Sequence, residues 1–128
     1  MKNLAMAVVA RDKKVLLQRR FRKNIGMVFE FPGGAVDCSE SGTDAAIREL
    51  WKETALIGLE VLGSHILQNE YGGEIHYVVM VSCISDEPTA TDSERQQEFY
   101  WFSVPEIPTG HFFRADLEFI SNSLESYT

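Results

Sequence analysis

The spacing of hydrophobic and polar residues in the first quarter of the chain predicts short strands. Residues 3–10 and 14–19 are rich in Val and Leu and are separated by a polar turn, which is typical of two buried strands joined as a hairpin. The pattern is lost over residues 21–28, where a basic run predicts an exposed loop. A short extended piece at 29–31 ends at the Pro-Gly-Gly of 32–34, and these glycines predict a turn with a close approach of the backbone.

The segment DAAIRELWKETAL, residues 44–56, has the period of an amphipathic helix. Ser41 and Asp44 have the spacing of a capping box, which predicts the start of the helix. One side of the helical projection is mainly apolar and is expected to pack inward: Ile47, Leu50, Trp51 and Thr54. The other side is charged: Arg48, Glu49, Lys52 and Glu53. Its two glutamates and its lysine are expected to face a cleft beside the Pro-Gly-Gly turn.

The second half of the chain predicts more strands and one further helix. Two extended segments, about 58–70 and 74–85, flank a Tyr-Gly-Gly turn and are typical of a hairpin. A polar loop is expected at 86–97, a strand at 98–102 and a proline-containing turn at 103–110. The last segment has apolar residues at helical spacing: Phe113, Leu117, Ile120 and Leu124. Strands mixed with two helices predict an α/β (α+β) sandwich in which helices cover a mixed sheet.

Length and composition indicate one folded domain over residues 1–128. A chain of 128 residues has single-domain length, and a hydrophobic content of 45% with eight Phe can fill a core. The formal net charge of −7 disfavours binding to long DNA or RNA, but it allows a small anionic ligand that is bridged by a metal ion. The expected partner is therefore a small molecule and not a nucleic-acid polymer.

Cysteine spacing and the length of the apolar runs bear on the cellular compartment. Cys38 and Cys83 have no C-x-x-C spacing, which fits a reducing compartment and favours neither a disulfide framework nor a zinc site. The first apolar run covers residues 4–10 and leads into a second strand, so a hairpin is preferred to a signal peptide. No run approaches the ~18–20 apolar residues that span a bilayer. We therefore expect a soluble, cytoplasmic protein without a membrane partner.

Glu49 and Glu53 are one helical turn apart, a spacing that brings two carboxylates together on one face. Their repulsion costs an isolated helix about 0.2–0.5 kcal/mol, so a cation is expected beside them. Mg²⁺ takes oxygen ligands and commonly bridges one or two carboxylates to substrate phosphates. A solvated charged face is the other interpretation, and the two glutamates by themselves leave both interpretations open.

A longer pattern surrounds this pair of glutamates. Its specified positions are, in order, Gly34, Glu40, Arg48, Glu49, Leu50, Glu53 and Leu56. The pattern resembles the signature of the Nudix hydrolase family, Gly-x5-Glu-x7-Arg-Glu-U-x-Glu-Glu-x-Gly-U, in which U is a bulky aliphatic residue. Seven of the nine specified positions match across 23 residues. The preceding FEFPGG, residues 29–34, resembles the WEFPGG lead-in of the MutT-type branch of the family.

This resemblance implies a Nudix-type α/β/α sandwich with a mixed sheet, a box helix and a carboxy-terminal helix. It also implies hydrolysis of nucleoside diphosphates linked to another moiety, with Mg²⁺ or Mn²⁺ as the cofactor. Carried over to this chain, Glu49 and Glu53 would be metal ligands, and Glu49 would also align or deprotonate water. Gly33 would offer its backbone carbonyl to the metal, Arg48 would hold a carboxylate in place and Glu40 would support the loop. Clustered carboxylates that bind a metal are consistent with this chemistry, because the metal neutralises phosphate charge and activates water.

Two positions depart from the family signature. Ala55 replaces the glycine near the helix end, which concerns only the local exit from the helix. Lys52 replaces the first glutamate of the Glu-Glu pair, which is usually a direct metal ligand in the family. This replacement changes the local charge by two units and removes one ligand, so we expect weaker metal affinity and slow hydrolysis.

Outside the box, four residues resemble family residues that bind metal or nucleotide. Glu98 resembles an additional glutamate that many members supply from a later strand or loop, and an exposed strand charge is the other interpretation. Arg20 resembles the MutT-type arginine that contacts the nucleotide, or it is a surface cation at a strand end. Asp116 in RADLEFI resembles the base-contacting residue at the start of the last helix, or it caps that helix. Phe31 is a candidate to pack on the base or in the core. The histidines have no ligand spacing and are interpreted as structural or surface residues: His65, His76 and His111.

Together these features predict a MutT-like pyrophosphohydrolase that cleaves a nucleoside triphosphate, or a related nucleoside diphosphate derivative, at a phosphoanhydride bond. An ADP-ribose-type pyrophosphatase of the same family is one alternative. A nucleotide-binding protein with the Nudix fold but little catalysis is another, and Lys52 is the residue that supports it. Monomer and homodimer are both left open.

Overall fold

A computed structural model shows seven strands and two α-helices in the residues that it describes, which are 3–23, 26–57, 59–68, 72–81, 87–89, 97–108, 110, 112 and 114–127. The strands are β1 (Leu4–Arg11), β2 (Lys14–Arg22), β3 (Gly26–Glu30), β4 (Gly33–Ala35), β5 (Glu60–Gln68), β6 (Glu74–Val81) and β7 (Glu98–Phe102). The α-helices are α1 (Gly42–Thr54) and α2 (Arg114–Asn122), and short 3₁₀ helices lie at Val104–Glu106 and Leu124–Tyr127. The predictions for Cys83, His111, Phe113 and most of the loop at 86–97 lie outside the described residues.

β1 is the central strand of the sheet, whose main strand order is β3-β2-β1-β6-β5. One edge of β1 pairs in parallel with β6. The other edge of β1 pairs with β2 only near the hairpin turn and with β4 further along. The edge of β2 that faces β1 pairs with β3 beyond this point, and the opposite edge of β2 pairs with β7. The chain therefore crosses from the β2 side to the β1 side at residues 31–32, where the Ala7 amide donates to Pro32 O at 2.7 Å. This crossing delivers the two glycines of β4 to the middle of the sheet.

Side chains of the sheet alternate between two faces, and each face is covered by one helix. On the α1 face, small and aliphatic residues of β1 and β6 pack against Ala45 and Ala46. On the α2 face, an aromatic cluster that includes Phe31 and Tyr77 packs against Phe119. Helices on both faces of a mixed sheet confirm the predicted α/β/α sandwich.

α1 begins close to the predicted residue, because the Ser41 hydroxyl accepts a hydrogen bond from the Asp44 amide at 3.0 Å. The predicted inward face of the helix is confirmed for Leu50 and Thr54 but wrong for Ile47, which is 41% exposed, and for Trp51, which is 58% exposed. The buried positions are Ala45, Ala46, Glu49, Leu50, Glu53 and Thr54. The paired alanines are small and let the helix approach the sheet closely, so the face that carries them is turned inward. Both glutamates share that face and become buried.

Two predictions between the first hairpin and α1 are also wrong. Most of residues 21–28 belong to strands, because β2 continues to Arg22 and pairs with β3 from Gly26 onward. The Pro-Gly-Gly segment is not a turn, since its glycines open β4 and pair with β1. A Cβ on Gly33 would overlap the backbone of Ala5, so this glycine is required by a close approach. These segments lack a clear alternation of hydrophobic and polar residues, so the sequence pattern does not predict them as strands.

The remaining elements follow the predictions more closely. The second hairpin is present as β5 and β6 within the described part of the two predicted segments, and β7 has the predicted bounds. The expected turn after β7 contains a short 3₁₀ helix. The carboxy-terminal α-helix is shorter than predicted, and a second 3₁₀ helix follows it. Within the described ranges, no helix is long and apolar enough to cross a membrane.

α1 ends at Ala55, which has a left-handed backbone with φ 64° and whose amide donates to Trp51 O at 2.8 Å. The family signature has glycine at this position, and glycine takes this conformation without steric cost. An L-residue other than glycine loses roughly 1–2 kcal/mol there. The helix end thus carries local strain.

We predict that Ala55→Gly raises the free energy of unfolding by about 0.5–1 kcal/mol, since relief of the left-handed strain exceeds the added entropy of the unfolded chain. Chemical denaturation followed by circular dichroism measures the change. The control is Ala115→Gly in α2, where the backbone is helical and the same substitution should destabilise by about 1 kcal/mol. Destabilisation at both positions would contradict the prediction.

Candidate active site

The Glu53 carboxylate is buried against the start of β4, with 2% of the residue exposed. Its Oε2 accepts a hydrogen bond from the Gly33 amide at 2.8 Å, and its Oε1 lies 3.5 Å from Gln18 Nε2. Burial raises the pKa of Glu53 to about 7, and repulsion by Glu49 and Glu30 adds to the shift, whereas the two hydrogen bonds oppose it. A cation bound beside this carboxylate would offset the repulsion.

Glu49 lies beside Glu53 on the inward face of α1 and is 7% exposed. Its carboxylate packs directly on Gly34, where an added Cβ would lie 2.6 Å from the carboxyl carbon. The glycine of the signature is therefore explained by close approach to a carboxylate. Arg48 Nη1 donates to Glu49 Oε1 at 3.0 Å, and Lys52 Nζ lies 3.9 Å from the same oxygen. The Lys52 side chain itself is 63% exposed.

Arg48 connects the helix to the loop that precedes it. Its guanidinium donates to both oxygens of Glu40 at 2.9 and 3.0 Å and to Ala35 O at 2.9 Å. The Asp37 carboxylate lies 3.5 Å from Arg48 Nη2. Hydrogen bonding by Arg48 and by the Asp37 amide holds the pKa of Glu40 below its usual value. This arrangement orders the segment between β4 and α1 and keeps the Arg48 side chain against Glu49.

Sequence reasoning missed Glu30, which is 6% exposed and lies on the same side of the sheet as Glu53. Arg22 donates to both Glu30 oxygens at 2.9–3.3 Å. Arg20 Nε lies 2.6 Å from Glu30 Oε1, but its N–H does not point at that oxygen, so the contact is an ion pair without a hydrogen bond. A single acid between two phenylalanines in FEFPGG was the available signal. It indicates a charge that must be paired inside the fold.

Two buried glutamines were also missed. Gln18 is 1% exposed, and Gln97 is 8% exposed. Gln18 contacts Glu30 and Glu53, and Gln97 donates to Gln18 Oε1 at 2.7 Å. The lone polar residue that ends the apolar run VLLQ could have indicated Gln18. Nothing in the local pattern indicates Gln97.

The structure places Glu98 away from the box carboxylates. Glu98 pairs across the strands with Arg19, and their side chains lie 3.8 Å apart. Because side chains alternate along β2 and Gln18 faces α1, Arg19 and Glu98 face the opposite side. The expectation that Glu98 joins Glu53 as a metal ligand is not supported by this geometry.

Asp116 and Phe31 lie in the aromatic cluster under α2. Asp116 is 3% exposed and accepts a hydrogen bond from the Tyr77 hydroxyl at 2.6 Å. It is the third residue of α2, and its carboxylate is turned toward Tyr77 in the core. Phe31 is 1% exposed and meets the rings of Tyr77 and Phe119 edge-on. Both residues are enclosed by protein side chains in this structure.

The box side chains together provide oxygen ligands for a hard divalent cation. Glu49 and Glu53 are both buried, adjoin the β4 glycines and repel each other. Among the residues that the structure describes, no group of three His, Cys, Asp or Glu side chains is arranged to hold a metal ion. Two carboxylates suit a cation such as Mg²⁺, which keeps several waters and takes further oxygens from substrate phosphates. The residues present therefore fit a metal that is shared between protein and substrate.

Similar proteins carry the same domain. A family model described as the NUDIX domain matches residues 1–121. The chain is 31% identical over 109 residues to a Methanocaldococcus jannaschii protein named ADP-ribose pyrophosphatase, and the match covers 81% of this chain and 64% of that relative. Among the curated relatives that it matches, the chain spans 64% of the length of one and 34% of the length of another.

Solved structures show the same fold. An Ap4A hydrolase of C. elegans superposes with a TM-score of 0.78 at 18% identity, covering 97% of this chain and 96% of the other. A bifunctional NMN adenylyltransferase/ADP ribose pyrophosphatase of Francisella tularensis, complexed with AMP and a Mn ion, superposes with a TM-score of 0.78 at 18% identity. That match covers 99% of this chain and 42% of the other. At these identities the likeness establishes the fold.

We predict that Asp116 makes the stability of the metal-free protein fall as the pH rises from about 4 to about 6. Burial raises the pKa of Asp116 from 3.8 to about 6, and the Tyr77 hydrogen bond opposes this shift. The unfolded chain therefore releases the proton first, and stability declines across this window by up to about 3 kcal/mol. Below the window both states are protonated, and above it the loss is complete.

Denaturation of wild type and Asp116→Asn at several pH values checks this prediction, because the variant keeps an acceptor for Tyr77 but cannot ionise. The variant should become more stable relative to wild type as the pH rises through the window. Glu118→Gln, at an exposed position of the same helix, is the control and should show no such shift. Parallel pH profiles for wild type and Asp116→Asn would refute the role of Asp116.

Proposed function

Because the chain belongs to the Nudix family, we propose that it hydrolyses a phosphoanhydride bond of a nucleoside diphosphate derivative with the help of a divalent cation. The observation that carries this proposal is the pair of buried carboxylates, Glu49 and Glu53, against the glycines of β4. A divalent cation that takes carboxylate oxygens as ligands would offset the repulsion between these two buried acids. The resemblance of the box to the family signature assigns that cation to a phosphate substrate.

Glu49, Glu53 and the backbone carbonyl of Gly33 would hold Mg²⁺ or Mn²⁺. When bound, the cation would neutralise charge on the phosphates and activate water for in-line attack. The Mn ion in the related Francisella tularensis structure supports a cation of this class. We leave Glu98 out of this ligand set, since its side chain lies on the opposite face of the sheet.

The other box residues would prepare the site without binding the metal. Arg48 holds Glu49 by Oε1 and fixes the loop through Glu40, so the carboxylate of Glu49 has a defined position. Lys52 also lies near Oε1. Oε2 of Glu49 is therefore the better candidate to contact the cation or to align and deprotonate the attacking water.

Two substrate classes are supported by separate observations. The relative named ADP-ribose pyrophosphatase favours ADP-ribose, with cleavage to AMP and ribose 5-phosphate. The FEFPGG lead-in and Asp116 favour a MutT-like nucleoside triphosphate, with cleavage to a monophosphate and pyrophosphate. Arg20, paired with Glu30 beside the site, is the proposed nucleotide contact in either case. Phe31 and Asp116 would reach a base only if side chains of the aromatic cluster moved.

Hydrolysis of a panel of ADP-ribose, nucleoside triphosphates and dinucleoside polyphosphates, with Mg²⁺ or Mn²⁺ and with products identified by chromatography, tests the proposal. We expect metal-dependent cleavage at a phosphoanhydride bond in one class. Absence of cleavage in every class with either metal would refute catalysis and favour a nucleotide-binding protein.

We predict that Glu53→Gln lowers the metal-dependent turnover on the order of 100-fold or more, because it removes the charge of a ligand and keeps its shape. The matched control is Glu60→Gln at the exposed start of β5, which should leave turnover unchanged. Circular dichroism must show that both variants are folded. Unchanged turnover in folded Glu53→Gln would exclude this site.

We also predict that Lys52→Glu tightens metal binding and raises the hydrolysis rate by roughly tenfold or more, because it restores a carboxylate at a ligand position. The ammonium lies 3.9 Å from Glu49 Oε1 and would compete with a cation for that carboxylate. Lys52→Gln separates the two effects, since it removes the positive charge without adding a ligand. Calorimetric metal affinity and turnover that are equal in wild type and Lys52→Glu would show that Lys52 has no part in the site.

A further inference from the structure

Two buried glutamines connect β7 to the carboxylates of the candidate active site. Gln97 directly precedes β7 and donates from Nε2 to Gln18 Oε1 at 2.7 Å. Gln18 on β2 donates from Nε2 to Glu30 Oε1 at 3.2 Å, and the same nitrogen lies 3.5 Å from Glu53 Oε1. The result is a chain of amide contacts that ends on Glu53.

The charges around Gln18 determine which way its amide points. Glu30 and Glu53 present carboxylate oxygens on one side, and these oxygens accept hydrogen bonds and repel another acceptor. Gln97 presents an N–H donor on the other side. The nitrogen of Gln18 must therefore face the two acids and its oxygen must face Gln97. Reversal of the amide would leave unfavourable contacts on both sides.

Among the described residues, the side-chain amide of Gln97 makes a hydrogen bond through its nitrogen but not through its oxygen. Its Oε1 is buried, and no donor in the described part of the chain reaches it. A buried acceptor without a partner is unfavourable. The side chain nevertheless keeps its nitrogen on Gln18, because the short contact there fixes the amide that faces the acids.

The geometry points to Gln18 as a positioning residue for the Glu53 carboxylate, with Gln97 holding Gln18 in the required orientation. This inference rests on the proposed function, in which Glu53 is a metal ligand. The Gly33 amide contacts one oxygen of Glu53 and Gln18 contacts the other, so the carboxylate is restrained from rotating. A carboxylate oxygen has two lone pairs, so a hydrogen bond to it is compatible with binding a cation. Mutation of residues that orient a metal ligand in this way commonly lowers metal affinity by about 10–100-fold.

The test measures Mn²⁺ affinity of the whole chain by isothermal titration calorimetry, together with turnover and thermal stability. Methionine has nearly the shape of glutamine but cannot donate the hydrogen bond, so Gln18→Met and Gln97→Met remove the contacts without opening a cavity. Gln68→Met, at an exposed position at the end of β5, is the matched control. It should bind Mn²⁺ as wild type does.

We expect Gln18→Met to weaken Mn²⁺ binding by about 10–100-fold. Gln97→Met should weaken it in the same direction by a smaller factor, because it acts through Gln18. In the double variant the effect of Gln97→Met should disappear, since there is no amide left to orient. This non-additivity distinguishes positioning from a general loss of stability, which would add in the double variant.

Wild-type Mn²⁺ affinity in folded Gln18→Met, or additive losses in the double variant, would overturn the inference and leave the proposed function intact. If Gln18→Met does not fold, Gln97→Met decides alone, and unchanged affinity there overturns the inference. A folded wild-type protein that binds no Mn²⁺ would instead overturn the proposed function and with it this role of Gln18.

Discussion

The burial of two carboxylates against two glycines is the constraint on which the rest of this structure depends. Glu49 packs on Gly34, and Glu53 accepts the amide of Gly33. An added Cβ would overlap Glu49 at Gly34 and the Ala5 backbone at Gly33, and β4 must itself be held in register by β1. The small Ala45-Ala46 pair lets α1 approach closely enough for these contacts to form. Sheet pairing and helix packing thus set the position of the candidate site.

Charge pairing around the site follows from that burial. A buried acid is unfavourable unless it is paired or protonated, and three acids adjoin one another here. Arg48 holds Glu49, and Arg20 and Arg22 hold Glu30. The Gly33 amide and the Gln18 side chain contact Glu53, and burial raises the pKa of Glu53 to about 7. A cation bound beside Glu53 would offset the repulsion by Glu49 and Glu30.

Lys52 shows how one substitution alters this balance. The exposed ammonium approaches Glu49 from the solvent side and adds positive charge where the family signature has a carboxylate. We expect folding to be unaffected, because the exposed Lys52 side chain fills no part of the core. The effect of Lys52 would fall on cation binding, which is why the affinity for metal and not the stability of the fold is the informative measurement.

The sequence by itself determined the family, the first hairpin, the start of α1 and the box residues, because these depend on local spacing along the chain. It also identified Glu40, Arg48 and both glutamates through a pattern of 23 residues. The inward face of α1 was predicted only in part, since hydrophobicity favoured Ile47 and Trp51 over the small alanines. Only the tertiary structure brought Glu30 and Gln18 to Glu53, placed Gln97 on Gln18 and separated Glu98 from Glu53. Those contacts join elements that are distant in sequence, and the side-chain pattern of a strand predicts the strand but not the other strand with which it pairs.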